Sequence, residues 1–362
     1  MRIIIAGGGT GGHIFPALAI ANALKRINGE IEILFVGAKG KMEMEKVPEA
    51  GYKIVGLDIA GFNRSSLIKN VALPFKLVKS FLQVRKIFKS FNPDAVVGVG
   101  GYSTYPVLRL AQSRKILTFI HESNSLPGKS NILLGKRATG IFVSSEGMEK
   151  YFPSYKVKVT GNPIRNVFLE KIDKSDALKF FGLEANKKTV FVMGGSLGAK
   201  SINEVIFENI DVFKKHNLQL IWQTGKSFAA KAASEETERM NIWTNAFIDK
   251  MEYAYAAADV VIARSGAMTI AEMCVVAKPA IFVPYPFSAE NHQVANAMSL
   301  VNRKAGLIVR NEEVKEKLIP ELLRVIRDEE LMKELGNNIS GMANTNADEV
   351  IATEILKQIN KN

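Results

Sequence analysis

The stretch Arg2–Leu18, with the sequence RIIIAGGGTGGHIFPAL, decides the fold of this chain. Ile3 to Ile5 form a short apolar run of β-branched residues, which is typical of a buried strand. Five glycines follow, interrupted only by Thr10, and a strong helical pattern opens at Pro16. A strand, a glycine turn and a helix start together form the βα unit that presents backbone N–H groups to a phosphate.

His13 lies where this glycine turn meets the first helical turn. The positive end of the helix dipole disfavours an imidazolium there, and a neutral imidazole can act as a base at pH 7. A hydrogen bond at the helix start, with no chemistry, explains the same placement equally well. Both interpretations therefore stay open on position alone.

The spacing Gly7-x-Gly9-x-x-Gly12 also matches the dinucleotide-binding fingerprint. An NAD enzyme places an acidic residue at the end of its second strand, where it holds the ribose. The second strand here, Ile31–Val36, runs into Gly-Ala-Lys instead. The missing acid counts against NAD.

Length and composition limit the possible classes. A chain of 362 residues favours two domains, and a net charge of +12 favours acidic partners such as phosphates, anionic lipid or nucleic acid. The single cysteine, Cys274, allows no internal disulfide and suits a reducing compartment. No run reaches the roughly 18 to 20 apolar residues that span a bilayer, which favours a soluble or peripheral protein.

Strands and helices alternate along the chain, and the opening pattern recurs at Thr189–Met193, which precedes the glycine turn Gly194–Gly198. This predicts an α/β fold of two doubly wound Rossmann-like domains facing across a cleft, with ligands at the carboxyl ends of the strands. The predicted domains are 1–163, 164–344 and a C-terminal helix, 345–362, packing back on the first. Strands are predicted near 2–6, 31–36, 95–99, 116–120, 140–143, 157–159, 189–193, 218–222, 242–247, 259–263, 280–283 and 306–309.

Three polar motifs in the first half are candidates for ligand contacts. The loop Gly98–Pro106 is either a second anion cradle or a plain tight turn. The amide of Asn124 offers donors and an acceptor to a sugar, whereas Glu122 and Ser123 fit a solvated turn equally well. Arg165 suits a diphosphate, or it is a linker arginine.

In the second half, Glu272 lies in an almost wholly apolar helix, where a carboxylate is costly unless it has a partner. It either accepts from both hydroxyls of a ribose or forms an internal salt bridge. Gln293 can reach sugar hydroxyls, and His292 either bonds phosphate or caps a helix. Phe247 and Ile248 either flank a base or belong to the core.

Residues 64–89 carry seven basic side chains, no acidic one, and many apolar residues around Pro74, which interrupts the amphipathic pattern. This pattern fits a surface that rests on anionic lipid headgroups, or an ordinary helix with a solvated basic face. The sequence has no Asp-x-Asp pair for a metal-bound diphosphate, no P-loop, no zinc-type Cys/His cluster and no nucleic-acid module.

Nine motifs, in the same order, resemble those of the MurG family, which belongs to glycosyltransferase family 28. Members of the MurG family convert lipid I to lipid II in peptidoglycan synthesis. They are GGGTGGHIFPALA, GVGGYSTYP, HESN, GNPIR, GGSLGA, WQTGK, FIDKM, ARSGAMTIAEM and NHQVANA. The resemblance runs nearly end to end. Ser123, Leu197 and His292 stand where family members often carry glutamine, and the mechanism needs none of these side chains.

The resemblance implies a GT-B fold and inverting transfer of GlcNAc from UDP-GlcNAc to undecaprenyl-diphosphate-MurNAc-pentapeptide (lipid I), without a cofactor or a metal. His13 matches the proposed base, and Glu272 matches the ribose-binding acid. The implied UDP-GlcNAc contacts are Thr10, Gly11, Gly12, Asn124, Arg165, Ser196, Ile248, Glu272 and Gln293. The acceptor diphosphate is assigned to Gly9, Gly100, Gly101 and Tyr102.

The resulting hypothesis is that the MurNAc C4 hydroxyl loses its proton to His13 while it attacks the anomeric carbon. Glu122 is the next candidate base. The basic stretch would dock peripherally on the cytoplasmic face of the membrane. Two rivals remain: another GT-B-like enzyme, such as a UDP-GlcNAc 2-epimerase or a lipid glycosyltransferase, and a non-catalytic nucleotide-sugar or lipid-phosphate binding protein.

Overall fold

The computed structural model describes residues 1–61, 71, 73–195, 197–233 and 241–361. They form two compact units. Unit 1 comprises Met1–Arg165 and Asn344–Asn362, and unit 2 comprises Asn166–Ala343. Within the described ranges, no helix is both long and apolar enough to cross a bilayer.

Unit 1 contains a seven-stranded sheet in the order β3-β2-β1-β4-β5-β6-β7, and all its strand pairs are parallel. The strands are β1 (Arg2–Ala6), β2 (Glu32–Ala38), β3 (Lys53–Leu57), β4 (Ala95–Gly98), β5 (Leu117–Glu122), β6 (Gly140–Val143) and β7 (Val157–Val159). The helices are α1 (Gly11–Ile27), α2 (Glu43–Glu49), α3 (Leu73–Phe91), α4 (Thr104–Ser113) and α5 (Lys129–Gly135).

Strand β1 lies in the interior of this sheet, between β2 and β4, and is covered on both faces. Ile3 and Ile5 pack into a core with α1, whereas Ile4 points to the opposite core with α3 and α4. All three isoleucines are fully buried, as expected for a central parallel strand between two helical layers. The apolar run was therefore correctly interpreted as a buried strand.

The C-terminal helix belongs to unit 1 although it follows unit 2 in the chain. Ile351 and Ile355 of this helix (Ala347–Ile359) are fully buried in the same core as α1. Asp348 also forms an ion pair of 3.1 Å with Arg26 at the end of α1. The sequence placed the corresponding domain divisions after residues 163 and 344.

Unit 2 contains a six-stranded parallel sheet in the order β10-β9-β8-β11-β12-β13. The strands are β8 (Lys188–Met193), β9 (Leu218–Gln223), β10 (Ile242–Asn245), β11 (Val260–Ala263), β12 (Ala280–Phe282) and β13 (Leu307–Ile308). The helices of unit 2 are α6 (Lys174–Phe180), α7 (Lys200–Glu208), α8 (Ile210–Lys215), α9 (Ala229–Ala232), α10 (Met251–Ala257), α11 (Ala267–Val276), α12 (His292–Val301), α13 (Val314–Arg327) and α14 (Glu329–Ser340). The C-terminal helix of unit 1 is α15 (Ala347–Ile359).

Each sheet reverses its strand order beside the strand that precedes a glycine turn. β1 lies between β2 and β4, and β8 lies between β9 and β11. In doubly wound sheets ligands bind at the carboxyl ends of such strands. Each unit is therefore a Rossmann-like domain with one topological switch point.

Two local details differ from the sequence predictions. The strand Lys53–Leu57 was missed, because it is a half-exposed edge strand with Gly56 inside it. Helix α1 begins at Gly11 rather than at Pro16, which lies inside the helix. Pro74 lies in the first turn of α3, where proline is tolerated, so the predicted interruption of the basic stretch falls at the start of that helix.

Candidate active site

The first glycine turn is held by bonds within the protein. The N–H of Gly7 donates to the Val36 carbonyl at 3.1 Å, and the N–H of Gly8 donates to the Gly100 carbonyl at 3.2 Å. The N–H of Gly9 donates to the Glu43 carboxylate at 2.7 Å. The N–H groups of these three glycines, Gly9 included, are therefore engaged within the protein. At the start of α1 the N–H groups of His13 and Ile14 donate to the Thr10 carbonyl, at 3.0 and 3.2 Å. The N–H groups of Gly11 and Gly12 precede them in the first turn, where no earlier helical carbonyl can accept, and they keep the capacity to bond an anion.

The second glycine loop packs directly against His13 and the first glycine turn. A Cβ on Gly100 would lie 2.5 Å from Cε1 of the His13 ring, and one on Gly101 would lie 2.3 Å from the Gly8 carbonyl oxygen. Both loop glycines also have positive φ, 97° and 91°. Loop packing thus accounts for these two glycines without a ligand. Tyr102, which follows them, is 48% exposed.

A second histidine, His121, is fully buried near His13 at the end of β5. Burial lowers the pKa of His121 to about 4, repulsion from a protonated His13 acts in the same direction, and a hydrogen bond to the Gly161 backbone opposes both. The sequence analysis weighed the neighbours of His121 but not His121 itself. A histidine directly after the apolar run Phe119-Ile120, inside a strand, was the available signal.

The buried His121 should make unfolding pH-dependent. Between pH 6.5 and 4 the unfolded chain takes up a proton that the folded chain refuses, so stability is complete above pH 6.5 and falls as the pH drops. Compared with His121→Gln, the wild type should lose about 2 kcal/mol more unfolding free energy between pH 7 and pH 5. Urea unfolding followed by circular dichroism measures this difference, and parallel pH profiles would contradict it.

Glu122 organises the loop that follows β5. Its buried carboxylate accepts from the backbone and side-chain amides of Asn124 at 3.0 and 3.3 Å, from Gly128 N–H at 3.1 Å, and from Asn131 at 2.8 Å. Both carboxylate oxygens are thus engaged by the loop that carries Asn124. Glu122 is placed to position Asn124 rather than to receive a proton from a substrate.

Arg165, the last residue of unit 1 before the chain enters unit 2, lies beside helix α1. Its guanidinium carbon is 4.7 Å from the centre of the Phe15 ring. Phe15 belongs to the N-terminal part of α1 and also packs near Gly11. The cation–π contact holds a fixed positive charge close to the helix start.

The glycine turn of unit 2 is fixed by the neighbouring strand ends. A Cβ on Gly198 would lie 2.1 Å from the Thr224 carbonyl oxygen, so only glycine fits. Gln223 donates to the Gly195 carbonyl at 3.1 Å and accepts from the N–H of Ile248 at 3.0 Å. Ile248 is buried. The predicted contact Ser196 lies outside the described residues.

Glu272 is buried on α11 and accepts a hydrogen bond of 3.2 Å from the hydroxyl of Tyr255 on α10. The sequence analysis did not identify this tyrosine, because the spacing of the two residues gives no motif. On the next helix, Gln293 accepts from the N–H of Tyr285 at 2.9 Å through its side-chain oxygen. Both predicted sugar-binding side chains are therefore held at the carboxyl edge of the second sheet.

Arg264 forms hydrogen bonds to several segments at the carboxyl edge of the second sheet. Its guanidinium donates to the carbonyls of Val283 and Pro284, each at 3.0 Å, to Asn311 at 2.9 Å and to Ser201 at 3.1 Å. Burial lowers the pKa of Arg264 to about 10, which leaves it charged at neutral pH. The arginine thus joins the start of α7 to the loop after β12.

Helix α3 of unit 1 exposes an apolar stripe. Phe75, Val78 and Leu82 are 78%, 62% and 58% exposed and lie at a spacing of three and four residues, on one helix face. The same helix carries exposed basic residues, which are Lys76, Lys79, Arg85, Lys86 and Lys89. Residues 64–70 of the predicted basic stretch fall outside the described residues.

Two family models match this chain. The glycosyltransferase family 28 N-terminal domain matches residues 3–143, and the family's C-terminal domain matches residues 189–353. The chain belongs to glycosyltransferase family 28. This membership makes the protein a glycosyltransferase, and its fold class is that of the GT-B glycosyltransferases, as predicted.

Curated family 28 relatives are similar to this chain over their full length. Enzymes named UDP-N-acetylglucosamine--N-acetylmuramyl-(pentapeptide) pyrophosphoryl-undecaprenol N-acetylglucosamine transferase are known from Parabacteroides distasonis and Phocaeicola vulgatus. The first is 46% identical over 99% of both chains. The second is 47% identical over 100% of this chain and 97% of its own.

Solved structures show the same fold. MurG of Acinetobacter baumannii superposes with a TM-score of 0.77 at 26% identity, over 98% of this chain and 99% of its own. The UDP-GlcNAc 2-epimerase of Neisseria meningitidis, bound to UDP-GlcNAc, gives a TM-score of 0.70 at 17% identity, over 99% of this chain and 100% of its own. The second likeness shows the fold alone.

Proposed function

We propose that this family 28 enzyme transfers GlcNAc from UDP-GlcNAc to the MurNAc C4 hydroxyl of undecaprenyl-diphosphate-MurNAc-pentapeptide, which converts lipid I to lipid II. The observation that carries this proposal is the full-length similarity, at 46% identity, to enzymes named for this transfer. The arrangement of His13, Glu272 and Gln293 at the carboxyl ends of parallel strands supports it.

The donor nucleotide is assigned to the switch point of unit 2. The Glu272 carboxylate accepts from the two ribose hydroxyls while the Tyr255 hydroxyl holds it in place. Gln293 bonds a sugar hydroxyl, and the segment around Ile248 flanks the base. Ser196 contributes from the glycine turn, whose backbone and the start of α7 offer N–H groups to the diphosphate.

Further contacts are assigned to unit 1 at the start of α1 and near it. The proposed donor contacts there are Thr10, Gly11, Gly12, Asn124 and Arg165. The acceptor diphosphate is assigned to Gly100, Gly101 and Tyr102. Gly9, whose N–H is already bonded to Glu43, contributes only close approach, since a Cβ there would face open space.

In the reaction, His13 takes the proton of the MurNAc C4 hydroxyl as the oxygen attacks the anomeric carbon of GlcNAc. The bond from that carbon to the UDP oxygen breaks, its electron pair leaves with UDP, and the configuration inverts. Helix N-termini and the Arg165 guanidinium stabilise the negative charge on the leaving group. His121, with its depressed pKa, stays neutral beside the base.

The enzyme docks peripherally on a membrane containing anionic lipid through the apolar stripe and basic residues of α3, on the cytoplasmic face where lipid I is presented. The double variant Phe75→Ser/Leu82→Ser should weaken binding to such vesicles at least about tenfold, because two exposed apolar side chains lose their burial in the bilayer interface. Vesicle co-sedimentation measures this. Val55→Ser, at an exposed valine on β3, is the control, and equal binding of the double variant and the wild type would contradict docking through α3.

Product analysis separates the proposed function from its rivals. The protein is incubated with labelled UDP-GlcNAc and EDTA, alone, with a diacylglycerol, or with a short-chain lipid I analogue. We expect labelled lipid product only with the lipid I analogue. UDP-ManNAc formed without an acceptor would indicate an epimerase, and UDP-GlcNAc binding without turnover would indicate a binding protein.

A further inference from the structure

Glu43, at the start of α2, is a buried carboxylate that no sequence motif identified. Its side chain is only 1% exposed although it lies in the first turn of a short surface helix. One oxygen accepts from the N–H of Ala38 at 2.9 Å and the other from the N–H of Gly9 at 2.7 Å. The side chain therefore joins the end of β2 to the first glycine turn.

The surrounding backbone is shaped around this carboxylate. A Cβ on Gly8 would lie 2.3 Å from the carboxyl carbon of Glu43, and one on Gly37 would lie 2.5 Å from its Cγ. Gly8 and Gly9 also have positive φ, 143° and 93°. The glycines leave room for a protein carboxylate at the position where a glycine turn often receives a ligand anion.

A short series of contacts connects Glu43 to His13. Glu43 holds Gly9, the adjacent Gly8 donates to the Gly100 carbonyl at 3.2 Å, and Gly100 packs against the His13 ring. Displacement of the first glycine turn would therefore move both the surface on which the imidazole rests and the start of α1.

We infer that Glu43 is a positioning residue for the transfer reaction: its carboxylate holds the first glycine turn so that His13 and the start of α1 face the substrates in reactive geometry. This inference rests on the proposed transferase function. Glu43 itself touches no substrate, because both of its oxygens bond backbone N–H groups within unit 1.

The chemistry of the contact requires a glutamate. Both partners are N–H donors, so both side-chain atoms must accept. Glutamine offers one acceptor and turns an NH₂ group toward the other N–H, while aspartate keeps the charge but is one methylene shorter. Glu43→Gln and Glu43→Asp should therefore both release the turn, by different routes.

The test is single-turnover transfer to a short-chain lipid I analogue, expressed per UDP-binding site counted by titration. Both Glu43 variants should transfer about 10- to 100-fold more slowly per site, since misplacement of about 1 Å costs that much. Their affinity for UDP should stay within threefold of the wild type, because the residues proposed to hold the ribose and the base, Glu272 and Ile248, lie on unit 2. Glu45→Gln, an exposed position on the same helix, is the matched control and should behave like the wild type.

A second readout does not depend on turnover. In histidine Cε1–H spectra, Glu43→Gln should shift the His13 signal and leave those of His216 and His292 in place. A wild-type rate per site, or a loss that only follows the loss of UDP sites, would overturn the positioning role. A wild type that binds UDP but transfers nothing would instead overturn the proposed function, and with it this inference.

Discussion

His13→Ala should lower the single-turnover rate of GlcNAc transfer by about 100- to 10,000-fold, the usual contribution of a general base. The variant loses only the imidazole that packs on Gly100, while the first glycine turn keeps its bonds to Val36 and Glu43. UDP affinity should therefore change little. The rate is measured with labelled UDP-GlcNAc and a short-chain lipid I analogue, with EDTA present.

His216→Ala is the control for this experiment, because His216 lies on unit 2 beside Arg327, away from the carboxyl edge of its sheet. Its transfer rate should equal that of the wild type. Similar rates for His13→Ala and the wild type would remove His13 as the base. Glu122 would not replace it readily, since four donors already engage its carboxylate.

Glu272→Gln should raise the dissociation constant of UDP by about 10- to 100-fold. Hydrogen bonds to a charged group contribute roughly 1.5–3 kcal/mol, and the amide can accept through only one of its two groups. Tyr255→Phe, which removes the hydroxyl that bonds Glu272, should produce a smaller loss in the same direction. Calorimetric titration of UDP into each variant measures both effects.

A UDP analogue that lacks both ribose hydroxyls gives the control for Glu272. The wild type should bind this analogue much more weakly than UDP, and Glu272→Gln should bind the two with similar affinity. If Glu272→Gln discriminates between them as strongly as the wild type does, Glu272 does not hold the ribose.

The central strands and the recurring glycine turns could be predicted from sequence because their signals are local. Ile3 to Ile5 and the run at Thr189–Met193 are apolar on both faces, as fully buried parallel strands must be. The edge strand Lys53–Leu57 exposes Val55 and contains Gly56, so its sequence lacks the alternation of apolar and polar residues that predicts a half-buried strand. The local signals nevertheless located the edge strands β7, β10 and β13.

The connections within the site could not be predicted because they join residues that are distant in sequence. Gly9 and Glu43 are separated by 34 residues, and Gln223 and Ile248 by 25. A position in a turn can also require glycine for either of two reasons, the close approach of a ligand or the packing of the backbone, and the sequence does not distinguish between them. At Gly8 the structure shows packing against a carboxylate instead of a phosphate.

The structure of the transfer product tests inverting transfer to lipid I most directly. The wild-type enzyme is supplied with UDP-GlcNAc, in which GlcNAc is α-linked, and a short-chain lipid I analogue, and the purified product is analysed by NMR. Inverting transfer to lipid I predicts a single GlcNAc, β-linked to the MurNAc C4 oxygen. An α linkage, attachment at another hydroxyl, or free GlcNAc with no lipid product would contradict inverting transfer to lipid I.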